Sequence, residues 1–116
     1  MSHPLSLCHL TMLDATPQEL IAAAAAAGIE HVGVRAVSPD DGAECFALVS
    51  DAAARRDVRR RADDLAGGIW DVEAVWLRPD TDVEGLRPVL EAASELGARQ
   101  LLTACFDPDR GRLVDR

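Results

Sequence analysis

Lysine is missing from this chain: all 12 basic residues are arginine, and alanine is abundant, a pairing that looks like genomic codon bias and carries no mechanism. Cysteine is scarce. Cys8, Cys45 and Cys105 are odd in number, lie far apart and form no CxxC, so neither a disulfide framework nor a thiolate zinc site is suggested. A reducing, cytoplasmic compartment is therefore expected. The N-terminus Met1-Ser2-His3-Pro4 lacks the basic and long apolar regions of a signal peptide, and no apolar run is long enough to cross a bilayer, so no membrane association is expected. Basic charge is also in deficit: 20 acidic residues against 12 basic leave a net charge of -8, which repels nucleic-acid phosphates and anionic lipids. Nucleic acid is thus not an expected partner. No GxGxxG opens the first helix, and GxxxxGK[ST], HExxH and GxSxG are all absent. Dinucleotide binding, P-loop chemistry and serine hydrolysis are left without support.

What is present is an apolar share of 48% over 116 residues, enough to build the core of one domain. The apolar stretch Leu5 to Leu13 reads as a first strand. After it, Thr16 can cap a helix, with Pro17 in its first turn and Glu19 completing a capping box. The helix runs through the alanines to Gly28, where left-handed geometry suits a helix end. His31 to Val37 is a valine-rich second strand. A loop with Pro39, Gly42 and an apolar patch at Phe46 to Val49 precedes a charged helix from about Ser50 to Leu65, with Ala54, Val58, Ala62 and Leu65 at helical spacing. Ile69 to Leu77 is a third strand. Val83, Leu86, Leu90, Ala93 and Leu96 form the stripe of a third helix ending at Gly97, and Gln100 to Phe106 is a fourth strand followed by a polar tail. Strictly alternating strands and helices with crossover-length connections predict an α/β fold with parallel strands. A complete (β/α)8 barrel needs about 250 residues, so an open sheet or part of a barrel is expected.

In such folds the chemistry lies at the C-terminal ends of the strands. Alternation puts His9 on a face with Leu5, Leu7 and Thr11, Arg35 with Gly33 and Val37, and Glu73 with Asp71 and Val75. Leu10, Met12, Val32, Val34, Val72 and Trp76 then lie beneath the helices. His9, Arg35 and Glu73 are the candidate substrate-binding residues, with Thr103, Cys105 or Asp107 as additions from the fourth strand. Each has a structural alternative. His9 suits a buried, hydrogen-bonded histidine, and Arg35 and Glu73 could neutralise each other as a partly buried pair. The arginines between Arg55 and Arg61 suit a solvated helix face, Trp70 and Trp76 suit packing, and Asp107-Pro108-Asp109 suits a turn better than half a metal site.

The segments Leu5-Ser6-Leu7-Cys8-His9-Leu10-Thr11, Thr16-Pro17-Gln18-Glu19-Leu20 and Ala26-Ala27-Gly28-Ile29-Glu30-His31-Val32-Gly33-Val34-Arg35 carry a resemblance, which continues in Asp71-Val72-Glu73-Ala74-Val75-Trp76-Leu77-Arg78-Pro79-Asp80 and Ala92-Ala93-Ser94-Glu95-Leu96-Gly97-Ala98-Arg99. In order and spacing they resemble the N-terminal half of the sugar phosphate isomerase/epimerase family, the xylose isomerase-like TIM barrels. Nearly the whole chain is covered, as one partial barrel domain over residues 1–116 running from the first to the fourth strand. The resemblance implies an aldose–ketose isomerase or epimerase. In that family a divalent metal polarises the substrate oxygens while carboxylates shuttle a proton. It also implies that the metal ligands, Glu, Asp, His and Glu, come from later strands, so no metal site and no catalytic residue is assigned within this chain. His9, Arg35 and Glu73 keep the role of lining a sugar or polyol pocket.

Two expectations follow. One is a truncated isomerase-like half, inactive alone, whose exposed half-barrel edges favour a homodimer. The other is a small non-catalytic carbohydrate-binding or self-associating module.

Overall fold

The computed structural model describes residues 3–115. Four strands alternate with helices: β1 (Ser6–Cys8), α1 (Pro17–Ala26), β2 (His31–Arg35), α2 (Ala52–Ala62), β3 (Gly68–Leu77), α3 (Arg87–Glu95), β4 (Gln100–Cys105) and α4 (Arg110–Val114). Short 3-10 turns at His9–Met12 and Glu84–Leu86 follow β1 and precede α3. All three strand pairings are parallel and the order across the sheet is β1-β2-β3-β4, the sequential winding expected of a half-barrel-like α/β unit.

The sheet is held from one side. Leu20, Ile21 and Ala24 of α1, Val58 and Ala62 of α2, and Ala93 and Leu96 from α3 and its end pack on Val32, Val34, Ile69 and Val72. Full burial of each of the Val, Leu and Ile side chains among them contributes about 1.5–3 kcal/mol. At α1, Glu19 N–H donates to Thr16 Oγ1 and Thr16 N–H donates to the Glu19 carboxylate, the reciprocal cap expected from the sequence. Gly28, at φ +72°, carries the chain out of the helix into β2.

Three expectations are corrected. The first strand stops at Cys8, and residues His9–Met12 coil into a 3-10 turn instead of continuing to Leu13. The stripe of α3 is rotated: Val89, Ala92, Ala93 and Leu96 are buried, while Val83 and Leu90 are exposed. The α-helix begins afresh around Pro88 after the turn at Glu84–Leu86, so residues before the break do not share its phase. The expected polar tail contains α4, capped by Asp109, whose carboxylate accepts from Arg112 N–H. Among the described residues no helix is long and apolar enough to cross a membrane.

Candidate functional site

Two register shifts decide what reaches the face of the sheet that carries no helix. Val32 and Gly33 of β2 pair with Ile69 and Asp71, so Trp70 is an extra residue in β3. Further along, Val72 and Val75 pair with Leu101 and Thr103, giving β3 a second extra residue. Between the shifts Val72 lies against the helices and Asp71 and Glu73 lie on the open face. After the second, Val75 turns inward to pack with Val37 and Val89. Trp76, expected beneath the helices, is displaced from that position; it packs beside Phe106 at 4.9 Å between ring centroids.

The strand-one assignment also changes. Leu7 pairs with Val32 and packs against the helix-side core, whereas Cys8 pairs with Gly33 and shares the open face with Asp71 and Glu73. A strand apolar on both sides gives no phase by hydropathy, and Cys8 was hidden by that ambiguity. Paired neighbours point to the same side, so Arg35, opposite Glu73, is on the open face too.

Glu73 is the centre of this face. The residue is only 2% exposed, yet among the described residues its side-chain hydrogen bonds come from Cys8 alone, with Sγ 3.1 Å from Oε2 and 3.4 Å from Oε1. A thiol is a weak donor for a buried carboxylate. Burial, together with the bond to Glu73, pushes the Cys8 thiol above its ordinary value, so it stays protonated and able to donate. Burial and the neighbouring Glu73 charge push the Asp71 carboxyl up as well. Gly33 makes room for that carboxyl: a Cβ there would lie 2.6 Å from Asp71 Oδ1. Ser6, Cys8, Trp70, Asp71, Glu73 and Gln100, with Leu101 and Leu102, line a cavity of about 330 Å³.

Arg35 forms no ion pair with Glu73 among the described residues, and its Nε is buried without a hydrogen-bond partner. His9 is fully buried and both ring nitrogens are engaged by backbone: Nδ1 accepts from Arg35 N–H at 2.9 Å, which leaves Nε2 to donate to the Ala15 carbonyl at 2.8 Å. Its ring stacks on Phe46. The histidine therefore ties the turn after β1 to the end of β2, while Glu73 and Arg35 lie side by side on neighbouring strands. Thr103 and Cys105 pair with Val75 and Leu77, are exposed, and are not among the residues that line the cavity. Asp107 is buried, accepts from Asp109 N–H and is bridged to the Arg112 guanidinium, the turn that Asp107-Pro108-Asp109 suggested.

A second cavity, about 410 Å³, lies between the loops after β2 and β3 and was not anticipated. Arg78 spans it, its guanidinium 5.0 Å from the Trp76 ring and its Nη1 donating to the Asp40 carbonyl. The acidic loops Asp40-Asp41 and Asp80 to Asp82 are the sequence signal for it. Among the described residues no three His, Cys, Asp or Glu side chains are grouped to hold a metal ion. No protein-family model matches the chain, and no curated protein matches it.

Proposed function

We propose that this chain is the N-terminal half of a sugar phosphate isomerase/epimerase-like barrel whose open face binds a sugar or polyol, and that it does not turn substrate over by itself. The observation that carries the reading is the buried Glu73 carboxylate, supported among the described residues only by a thiol, beside Asp71 in a cavity floored by a parallel sheet. Buried carboxylates demand donors, and adjacent hydroxyls of a polyol supply them in pairs. The Trp70 ring offers the apolar surface that sugar C–H groups pack on, and Arg35 stands beside Glu73 on the same face, its buried Nε without a hydrogen-bond partner among the described residues. His9 fixes the backbone of Arg35, the neighbour of Glu73 on β2. The resemblance assigns metal and proton-transfer groups to later strands, which is why catalysis is withheld from this half. With Cys8, Cys45 and Cys105 all unbridged, we assign the chain to the reducing cytoplasm.

Calorimetric titration of the folded chain with polyols, free sugars and phosphosugars tests the reading. Binding is expected, and Glu73→Gln is expected to weaken it about tenfold or more, near 1.4 kcal/mol, without loss of the far-ultraviolet circular dichroism. A folded chain that binds none of them, or binds equally well as Glu73→Gln, ends the proposal. Metal-dependent epimerisation by the isolated chain would overturn its inactivity.

A further inference from the structure

Charge is distributed unevenly along this sequence. Residues 1–13 contain no Asp, Glu, Lys or Arg, and neither do residues 100–106, in a chain that is 28% charged. These two segments hold β1 and β4, the two edges of the sheet. Edge strands in monomers are normally protected by charge, proline or a covering element. Here the edges are flanked by exposed apolar side chains: Leu5, Leu10 and Leu13 on the β1 side, and Leu90, Leu102 and Phe106 on the β4 side, each at least half exposed.

The molecule also has too much surface. Its accessible area is 7006 Å² for 12.4 kDa. A folded monomer of that mass exposes about 6,100 Å², leaving an excess of about 900 Å². A standard interface takes about 800 Å² from each partner. The radius of gyration of 14.7 Å and the extents of 44 × 37 × 23 Å describe a flat slab, not the sphere expected at about 13 Å.

We propose that a second copy of this chain covers both edges, the pair closing an eight-stranded parallel barrel. A two-fold axis running along the strands lays β4 of each copy beside β1 of the other in parallel, so both edges of both copies are paired in one self-complementary contact. Four strands from each copy give eight, the number at which a barrel interior is just filled by side chains. Helices then cover the outside of both sheets, and the apolar side chains of the two edges are taken out of water together. The proposal rests on the edges and the surface area, independently of sugar binding, so a monomer that binds sugar refutes one and spares the other.

Sedimentation velocity of the full chain across a wide concentration range, paired with amide hydrogen exchange, decides it. A reversible dimer of twice 12.4 kDa is expected, with amides of residues 6–8 and 100–105 exchanging more slowly in the dimer than in the dilute monomer. Leu102→Lys should dissociate it to a folded monomer; Phe106→Lys, beyond the end of the strand, makes the same test if the first variant fails to fold. A chain that stays monomeric, a dimer protected on its helices and not its edges, an assembly larger than a dimer, or folded Lys variants that still dimerise would each overturn the proposal.

Discussion

Asp71 and Glu73 stand two residues apart on one face of one strand, and their carboxylates therefore compete for the same scarce solvation. The sign of the consequence is fixed by Asp71, whose carboxyl is pushed up by burial first and by the Glu73 charge second. A carboxyl with a folded value above its unfolded one holds more protons in the native state, so its contribution to stability is full in acid and is lost as pH rises through the folded value. At pH 7 the charged Asp71 opposes folding. Asp71→Asn should accordingly raise the melting temperature at pH 7, and the gain should vanish below the ordinary carboxylate value of about 3.9. Thermal melts of both proteins across that range make the comparison; an Asn variant less stable at pH 7 would show that Asp71 is satisfied by a contact that outweighs its desolvation. The shared face of Glu73 and Arg35 was legible because Val32, Val34 and Val72 mark the buried side of their strands. Cys8 was not, since Leu5, Leu7 and Leu10 fit either phase, and Trp76 was not, since the extra residue before Val75 leaves no trace in composition.

Elements were read well where their ends carry local chemistry and poorly where only periodicity was available. Thr16, Pro17 and Glu19 specify the start of α1 by hydrogen bonds that the residues themselves make, and the structure contains both of them. The cap at α2 is of the same kind but went unread: Asp51 accepts from the N–H groups of Ala53 and Ala54. In α3 the apolar spacing of Val83, Leu86 and Leu90 suggested one continuous stripe, but Pro88 and the preceding 3-10 turn reset the phase to Val89, Ala92 and Leu96. Hydrophobic periodicity extrapolates across such a break, whereas a cap does not. Thr16→Ala should therefore lower stability by about 1 kcal/mol, with no change in any ligand affinity, because the cap lies on the helix exterior away from Glu73. Chemical denaturation together with ligand titration checks both halves of that expectation. A weakened ligand affinity at unchanged stability would remove the cap from its purely structural role.

At the scale of the molecule, the order of strands and helices was legible because alternation and turn residues are local, while the flatness of the slab and the pairing of its edges depend on how far the sheet extends. Two forces with different ranges meet at those edges. Apolar burial acts at contact and favours the closed pair. The net charge of -8 on each copy acts over the screening length and opposes it. That length is about 30 Å at 0.01 M ionic strength and about 8 Å at 0.15 M, against a slab 23 Å thick, so in dilute buffer the charges of one copy act across the whole of the other. Since β1 and β4 carry no charge, salt has no attractive ion pair to weaken between them and only the long-range repulsion to screen. Adding sodium chloride over that range should therefore tighten the dimer and move the sedimentation midpoint to lower protein concentration. A contact built on arginine–carboxylate pairs would respond in the opposite sense, so a midpoint that moves to higher concentration would place the interface on the charged helices and not on the sheet edges.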